Sequence, residues 1–521
     1  MTRSPRTIVI VGAGFSGTAV AINLLRLAQR GSLKIVLIDR AGIARGVAYA
    51  QRDYPFLLNV PAGRMSASSS APGEFLAFAQ RTAPQVRADD FLPRELYGEY
   101  LDWTLRTAEL AAPPHVHLER VHGRATRLER PPGAAHHDLH LSDGRRFAAD
   151  EVVLALGNPP PAQLPGSDAL IGSPQYVENP WSAPSHAFRA GESVLVVGTG
   201  LTMADVVLAG AQAAGGEVLV QAISRHGLIP PSQTAFGAQQ GDSGEDLVGA
   251  AAHTRSLFGA VRELAESVER RGGDWREIVA LVRNLTPRLW ERMPLTERRR
   301  FLRHVRPLWD VHRHRLPEVT AAALRDLARD RKLAVRAGHI LALARERAKV
   351  RVTWRARGDH AARALLVDRV VNCTGPDYDP RRTRDPLLRS LLDEGVAVTD
   401  PLGLGLRTGP FGALLDARGR ASPNLFYVGP MLRADHWEAT AVAELRVHAE
   451  RLAWRLLAHT PSRSDILPGS FNSSPERAAA SDHLGGRAHQ DLCLRLSGPE
   501  GHRPRDPSGG DLRPARPERC R

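Results

Sequence analysis

A glycine-rich turn that directly follows an apolar strand occurs twice in this chain of 521 residues. The strands cover residues 7–11 and 193–197, and the turn glycines are Gly12, Gly14 and Gly17 in the first copy and Gly198 and Gly200 in the second. Only glycine allows the tight turn, the close approach of a pyrophosphate and the close packing of helix on strand. The two turns therefore predict an α/β fold with two Rossmann-like domains, each binding one dinucleotide.

The residues around the first turn suit a dinucleotide. A helix is expected to begin near Phe15 and Ser16, where unpaired N–H groups and the helix dipole attract phosphate. Asp39 lies 22 residues past Gly17, at the end of the next predicted strand. A carboxylate at that position can bind ribose hydroxyls. The alternative interpretation is a glycine-rich turn that serves only core packing.

The second turn departs from the pattern at two places. Met203 replaces the third glycine, next to Thr202 in the predicted first helical turn. The following strand ends in Ser224 and Arg225 where the first copy has an acid. Loss of the acid removes the repulsion of a 2′-phosphate, and an arginine can bind one. NADPH is therefore favoured over NADH, with a solvated loop arginine as the alternative for Arg225.

Three later glycines follow apolar strands. Gly157 and Gly375 each lie seven residues past an aspartate that opens the strand, and Gly429 follows the last strand. Glycine at a strand end suits a backbone that passes close to a cofactor. The helix after Gly429 is predicted to direct its N-terminus at a flavin ring, where its dipole would stabilise negative charge. Ordinary strand-end turns are the alternative.

Composition narrows the function classes. The net charge is +14, but the cations are nearly all arginine, and lysine occurs only at Lys34, Lys332 and Lys349. Scattered arginines suit small anionic molecules better than nucleic acid. The three cysteines form neither a metal-binding nor a close dithiol spacing, so no metal site is expected. No stretch reads as a membrane span, and a cytoplasmic location is expected.

The order of motifs divides the chain into four parts. Residues 1–185 are predicted to begin the first dinucleotide-binding domain, and residues 186–345 to form the second, with a helical insertion at about 250–332. Residues 346–460 are expected to return to the first domain. Residues 461–521 lose periodicity and fill with Gly, Pro, Ser and Arg, which is typical of a disordered tail.

Several runs together resemble a bacterial family of FAD/NAD(P)-binding oxidoreductases that includes FAD-dependent urate hydroxylase and an aspartate N-hydroxylating monooxygenase. They are residues 46–49, 58–62, 91–100, 154–158, 224–227, 309–315 and 437–441. The resemblance covers about residues 5–458. It implies FAD in the first unit, NADPH or NADH in the second, and a small anionic substrate with dioxygen as partners. The oligomeric state stays open.

The expected activity is an FAD-dependent, NAD(P)H-dependent monooxygenase. The preferred substrate at this stage is urate, hydroxylated to 5-hydroxyisourate in purine catabolism through a flavin C4a-hydroperoxide. Urate is an electron-rich anion that arginine would bind. The alternatives are N-hydroxylation of an amino acid such as aspartate, a flavin-dependent reductase without oxygen insertion, and a non-catalytic nucleotide-binding regulator.

The segment 309–315 supplies the catalytic candidates. Arg313 or Arg315 could clamp an anionic substrate, and His312 could tune its protonation because histidine titrates near neutrality. The alternative is a solvated, salt-bridged helix face in an arginine-rich stretch. Arg94 and Tyr97 are weaker candidates for substrate contact.

Overall fold

A computed structural model describes residues 5–50, 53–182, 187–233 and 244–458. The strands, in chain order, are β1 (Arg6–Val11), β2 (Leu33–Asp39), β3 (Val116–His122), β4 (Ala125–Glu129), β5 (His137–Leu141), β6 (Arg146–Ala149), β7 (Glu151–Leu154), β8 (Tyr176–Val177), β9 (Glu192–Val197), β10 (Val218–Ser224), β11 (Leu333–Glu346), β12 (Lys349–Ala356), β13 (Ala362–Val367), β14 (Arg369–Asn372), β15 (Ala413–Leu415) and β16 (Ala421–Tyr427). The helices are α1 (Phe15–Leu27), α2 (Glu74–Gln80), α3 (Arg94–Leu110), α4 (Leu201–Ala213), α5 (Glu245–Ala250), α6 (Thr254–Arg270), α7 (Arg276–Arg292), α8 (Leu295–His304), α9 (Arg306–Arg313), α10 (Glu318–Arg329), α11 (Pro386–Asp393) and α12 (Val442–Leu457).

The first glycine turn belongs to a six-stranded sheet with the order β15-β16-β7-β1-β2-β3. All its strands are parallel except the edge strand β15, which pairs antiparallel with β16. The central strand β1 is buried on both faces, with Ile8, Val9 and Ile10 fully inaccessible to solvent. Continuous apolar runs of this kind are typical of parallel strands covered by helices on both sides. Here α1 packs against α12 and α3.

The second glycine turn belongs to a seven-stranded sheet with the order β13-β12-β11-β10-β9-β14-β8. Strands β8 to β11 and β14 pair in parallel, whereas β12 and β13 extend the sheet as an antiparallel hairpin. This sheet corrects two expected domain boundaries. Strand β8 at Tyr176–Val177 already pairs with β14, and the chain stays in the second domain through Asn372 instead of leaving it near residue 346.

The missed boundary has a physical cause. Strand β11 is 14 residues long, and only its first five residues, Leu333 to Ala337, pair with β10. Its remainder forms the hairpin with β12, which alternates buried and exposed residues like an independent antiparallel segment. The hairpin therefore gave no sequence signal of belonging to the preceding parallel sheet.

The predicted mixed α/β architecture with two Rossmann-like halves is confirmed. The expected helical insertion is present as α5 to α10, Glu245–Ala250 through Glu318–Arg329. The insertion has its own apolar core, which includes Leu247, Val282 and Leu285. Among the described residues, no helix is both long and apolar enough to cross a membrane. The predicted tail at 461–521 lies outside the described residues.

Candidate active site

The first glycine turn closes tightly between β1, α1 and the end of β7. Gly12 has a φ of +102°, a backbone angle that favours glycine, and its N–H donates to the Ile38 carbonyl oxygen at 2.8 Å. A methyl group at Gly12 would overlap the carbonyl oxygen of Ala155, and one at Gly17 would overlap that of Gly12. Both glycines are therefore required by the packing of the protein itself.

Gly14 is different, because the protein leaves space beside it. It is the N-cap of α1, and a methyl group added there would approach nothing closer than the Gly46 Cα atom at 3.8 Å. No side chain of the described residues caps this helix, so the N–H groups of its first turn are left for another partner. Phe15 and Ser16 begin the helix with buried side chains, and Phe15 stacks on Tyr97. The open, uncapped helix end fits the pyrophosphate of a dinucleotide.

Asp39 lies beside this turn, at the end of β2. Its carboxylate accepts N–H groups from Ala13 at 2.7 Å, from Ala41 at 2.7 Å and from Gly42 at 3.3 Å. These bonds fix the turn to the loop that follows β2. A carboxylate has about four acceptor positions, so the proposed contact with a ribose hydroxyl is compatible with them and stays a prediction.

The second turn repeats the first in its backbone. Gly198 has a φ of +111°, donates its N–H to the Ile223 carbonyl oxygen at 2.8 Å, and would overlap the Cys373 carbonyl if it carried a methyl group. Gly200 is the uncapped N-cap of α4, and a methyl group there would have no neighbour within 4 Å. The second cradle therefore offers the same open helix end.

The second turn differs in its side chains. Met203 stands where the first copy has Gly17, and its side chain is fully buried in the core of the second domain. The Thr199 hydroxyl lies 2.8 Å from the Ser224 hydroxyl. These two residues occupy the positions that correspond to Ala13 and Asp39 in the first domain. Neutral hydroxyls thus replace a carboxylate at the strand end that faces the cradle.

The frame around the two turns is also repeated. Asp150 and Asp368 accept the backbone N–H groups of Thr7 at 2.7 Å and Ser193 at 2.9 Å, which ties each late strand to the start of its glycine-turn strand. An ion pair lies beside each of these hydrogen bonds, and the acidic and basic partners have exchanged strands between the two domains. Arg6 pairs with Glu151 in the first domain, and Glu192 pairs with Arg369 in the second. The spacing of the aspartates, noticed in the sequence, therefore reflects structural ties.

The remaining predicted cofactor residues lie at the expected strand ends or helix starts. Gly157 and Gly375 have open space beside them, and Thr202 is half-buried in the first turn of α4. Arg225 is exposed directly after β10. Gly429 packs against the Tyr427 ring, where an added methyl group would lie 2.8 Å from the phenol oxygen. Their contacts with a cofactor stay predictions.

The residues just after Gly157 and Gly375 form hydrogen bonds with each other. The Tyr378 hydroxyl donates to the Asn158 side-chain oxygen at 3.0 Å, and the Asp377 N–H donates to the Pro160 carbonyl at 3.0 Å. Asn158 directly follows Gly157, and Asp377 lies two residues past Gly375. The strand ends that border the two cradles are therefore neighbours in space.

A second contact joins the two domains through charge. Arg94, at the start of α3, donates to the Asp205 carboxylate of α4 at 2.7 Å, with side chains 19% and 12% exposed. Burial raises the pKa of Asp205, and Arg94 opposes that shift. The Arg94 guanidinium also lies 5.5 Å from the centre of the Trp181 ring. Arg94, expected as a possible substrate contact, thus has an interdomain partner.

Tyr97 is enclosed by aromatic rings. It is fully buried and contacts Phe15, Tyr49, Phe75 and Tyr100. Desolvation raises the pKa of its phenol well above the usual value. Its place in the core beneath α1 favours a packing role over the expected substrate contact.

Helix α9 docks on the segment between Gly429 and α12. The Arg313 guanidinium donates to Glu438 at 2.9 Å, and the Trp309 indole N–H donates to the other Glu438 oxygen at 3.1 Å. Arg313 and Glu438 are only 9% and 7% exposed. This buried contact replaces the solvated helix face that was the alternative interpretation of the sequence.

The three catalytic candidates are only partly brought together. His312 bonds its own helix, with Nδ1 2.8 Å from the Leu308 carbonyl, and meets the Trp275 ring edge to face. Arg315 is half-buried near Arg313, and burial together with repulsion from Arg276 and Arg313 lowers its pKa to about 10. The arginines form one cationic corner, whereas His312 packs against Trp275 at the start of α7.

Sequence reasoning missed Arg433 and Glu438. The Arg433 guanidinium is buried 3.7 Å from the centre of the Trp437 ring, and Trp437 packs against Trp290 with the two rings tilted. Glu438 was visible only as part of the run 437–441. The signal that could have identified it is an acid that directly follows a tryptophan, just before the apolar start of the last helix.

Comparison with known proteins agrees with this geometry. Residues 9–159 match the FAD–NAD(P)-binding family. The match covers the first glycine turn, Asp39 and Gly157, and it confirms FAD and NAD(P) as the cofactor class.

One curated relative and several solved structures extend the comparison. L-aspartate N-monooxygenase (nitrosuccinate-forming) from Streptomyces cremeus is 35% identical over 133 residues, which is 24% of this chain and only 20% of that protein. Ornithine hydroxylase from Pseudomonas aeruginosa superposes with a TM-score of 0.57 at 14% identity, over 87% of this chain and 99% of its own.

Two further structures share the fold at similar levels. The cadaverine monooxygenase of desferrioxamine biosynthesis from Erwinia amylovora, bound to FAD, has a TM-score of 0.57 at 12% identity and covers 91% of this chain and 100% of its own. L-lysine 6-monooxygenase from Pseudomonas syringae has a TM-score of 0.56 at 16% identity, over 86% and 98%. At these identities the likeness establishes the fold. None of these four relatives is named for urate, so the preferred substrate of the sequence analysis has no support here.

Proposed function

We propose that this chain is an FAD-dependent, NAD(P)H-dependent monooxygenase that hydroxylates the amino nitrogen of a small amino acid. The balanced reaction is R–NH₂ + O₂ + NAD(P)H + H⁺ giving R–NHOH + H₂O + NAD(P)⁺. One oxygen atom enters the substrate and the other leaves as water. The observation that carries the proposal is the pair of similar cradles whose bordering strand ends meet at Asn158 and Tyr378.

The first cradle would hold FAD and the second NADPH. The uncapped N-terminus of α1 beside Gly14 binds the FAD pyrophosphate, and the matching end of α4 beside Gly200 binds that of NADPH. Arg225 lies where a 2′-phosphate is expected, and Ser224 removes the competing carboxylate. Bound flavin supplies the redox chemistry, accepting hydride from NADPH and activating dioxygen.

The protein's own contribution is placement, electrostatics and exclusion of water. The Arg94–Asp205 pair holds α4 against the first domain, which would keep the nicotinamide cradle near the flavin. Arg313, Trp309 and Glu438 hold the insertion over the segment that leads into α12. Cys373 is buried, and desolvation raises the pKa of its thiol, so this cysteine is unsuited to a dithiol reductase mechanism.

N-hydroxylation is preferred over urate hydroxylation because of the relatives. The curated relative acts on the nitrogen of aspartate by its name, and the three structural neighbours are named for ornithine, cadaverine and lysine. Their shared feature is an amine, which becomes nucleophilic at nitrogen when it is deprotonated. An amine in a cationic corner loses its proton more readily than in water.

The test is oxygen uptake by FAD-loaded protein with NADPH and a panel of aspartate, ornithine, lysine, cadaverine and urate. The proposal expects one amine to stimulate uptake and to yield a hydroxylamine in amounts that match the oxygen consumed. Stimulation by urate alone would overturn it. NADPH oxidation under argon with an organic acceptor, and no oxygenated product in air, would indicate a reductase instead.

A further inference from the structure

A group of arginines converges where the helical insertion meets the first domain. Arg276 and Arg283 belong to α7, Arg313 ends α9, and Arg315 follows it. These side chains come from separate elements. Burial, together with the charges of Arg276 and Arg313, lowers the pKa of Arg315, and burial with the charge of Arg283 lowers that of Arg313.

The acids nearby are already engaged. Asp274 pairs with Arg276 at 3.1 Å, and Glu444 at the start of α12 pairs with Arg283 at 2.7 Å. Glu438 accepts from both Arg313 and Trp309, so each of its oxygens has a donor. The acids therefore fix the positions of the arginines, and the Oε2 atom of Glu444 stays buried without a hydrogen-bond partner among the described residues.

Arg313 retains a buried donor that these acids do not reach. Its Nε binds Glu438, but its Nη2 atom is inaccessible to solvent and has no hydrogen-bond partner among the described residues. A buried unpaired donor on a charged group is costly. Planar guanidinium groups bind carboxylates strongly through paired N–H groups. The unpaired Nη2 atom therefore indicates that an anion binds here when the enzyme is active.

We propose that Arg313, with Arg315 beside it, binds a carboxylate of the substrate. This inference rests on the proposed function and specifies its substrate class as a carboxylate-bearing amino acid. The corner belongs to the insertion and to the segment before α12. Arg276, Arg283 and Arg313 are held by ion pairs before the substrate arrives, which reduces the entropy lost on binding. In this role Arg313 and Arg315 select the substrate and perform no proton transfer.

The test compares wild-type FAD-loaded enzyme with R313Q, R313K and R315Q. Arg299 on α8 is exposed and supplies the matched control, R299Q. The substrates are aspartate, alanine without the side-chain carboxylate, β-alanine without the α-carboxylate, and cadaverine with neither. Succinate binding is measured by calorimetry, because it needs no turnover.

For R313Q, we expect the KM for the carboxylate substrate to rise about 30-fold, because one charge-assisted hydrogen bond to the substrate is lost. R315Q should show a smaller rise, and R313K a partial recovery. The KM for NADPH and the rate of anaerobic flavin reduction without substrate should stay within about twofold. Succinate should bind the wild type and R299Q but not R313Q.

Three results would overturn the inference. The first is an unchanged KM for the carboxylate substrate in folded R313Q and R315Q. The second is a rise in the KM for NADPH equal to that for the carboxylate substrate, which would assign the corner to a phosphate. The third is that neither succinate nor aspartate binds to the wild type. Efficient wild-type hydroxylation of cadaverine but not of amino acids would refute the carboxylate site while leaving N-hydroxylation intact. Absence of oxygen uptake with every amine, despite succinate binding, would refute the function and leave the site.

Discussion

Replacing Gly14 or Gly200 with alanine separates the needs of the fold from those of the cofactors. Both residues have extended backbone angles that alanine adopts freely, with φ of −72° and −88°. Both have room for a methyl group as far as the protein is concerned. Each replacement should therefore leave the cofactor-free protein folded. Its stability should change by less than about 1 kcal/mol, because the lower entropy of the unfolded chain is offset by the weaker preference of alanine for an N-cap.

Cofactor affinity should change in the opposite direction. The new methyl group occupies the space through which a pyrophosphate reaches the N–H groups of the first helical turn. Losing one or two such charge-assisted hydrogen bonds costs roughly 1.5–3 kcal/mol, which weakens binding about 10- to 100-fold. G14A should lose affinity for FAD, whereas G200A should keep FAD and lose affinity for NADPH.

The assay combines thermal unfolding of the cofactor-free proteins with titration of each cofactor. Gly259 inside α6 is the matched control, since it also has an open space beside it but lies in the insertion. G259A should be stable and bind both cofactors normally. If G14A binds FAD within twofold of the wild type, the pyrophosphate does not pass Gly14 and the assignment of the first cradle fails.

Three further predictions concern charge. R94M should destabilise the protein by about 2 kcal/mol at neutral pH, a value between those for exposed and buried ion pairs. Chemical denaturation should show that this loss of stability becomes smaller at low pH, where Asp205 is protonated. A loss that does not depend on pH would exclude the Arg94–Asp205 pair as its cause. R225S should raise the KM for NADPH at least tenfold more than that for NADH, and equal effects would refute the 2′-phosphate contact. Burial lowers the pKa of His448 from 6.5 to about 4, so the unfolded chain binds more protons between these pH values. Stability should therefore fall as pH drops through that window, by at most about 3 kcal/mol, and H448Q should flatten the dependence.

The cradles could be predicted from the sequence because their signals are local. Each combines an apolar strand, glycines at fixed spacing and a helix start within about twenty residues, and backbone geometry forces that combination. The sequence did not reveal that the ion pair Arg6–Glu151 of the first domain recurs with opposite charges as Glu192–Arg369 in the second. Each of these pairs joins residues more than a hundred positions apart. The same long range hid the Arg94–Asp205 contact.

The proposed substrate region could be predicted only in part. The concentration of arginine and tryptophan drew attention to residues 309–315, but composition alone could not decide between a solvated face and a buried contact. That choice depends on Glu438, which lies 125 residues away from Arg313. The domain boundaries failed for a related reason, since the pairing of β11 with β10 and of β14 with β9 is a property of the whole sheet.

The most direct test of two cooperating cradles is anaerobic mixing of FAD-loaded protein with NADPH, followed by admission of oxygen and the amine substrate. The account predicts rapid loss of the flavin's visible absorbance, and then its return in step with the formation of one hydroxylated amine for each NADPH consumed. A protein that takes up only one of the two nucleotides, or whose flavin stays oxidised under saturating NADPH, would contradict it.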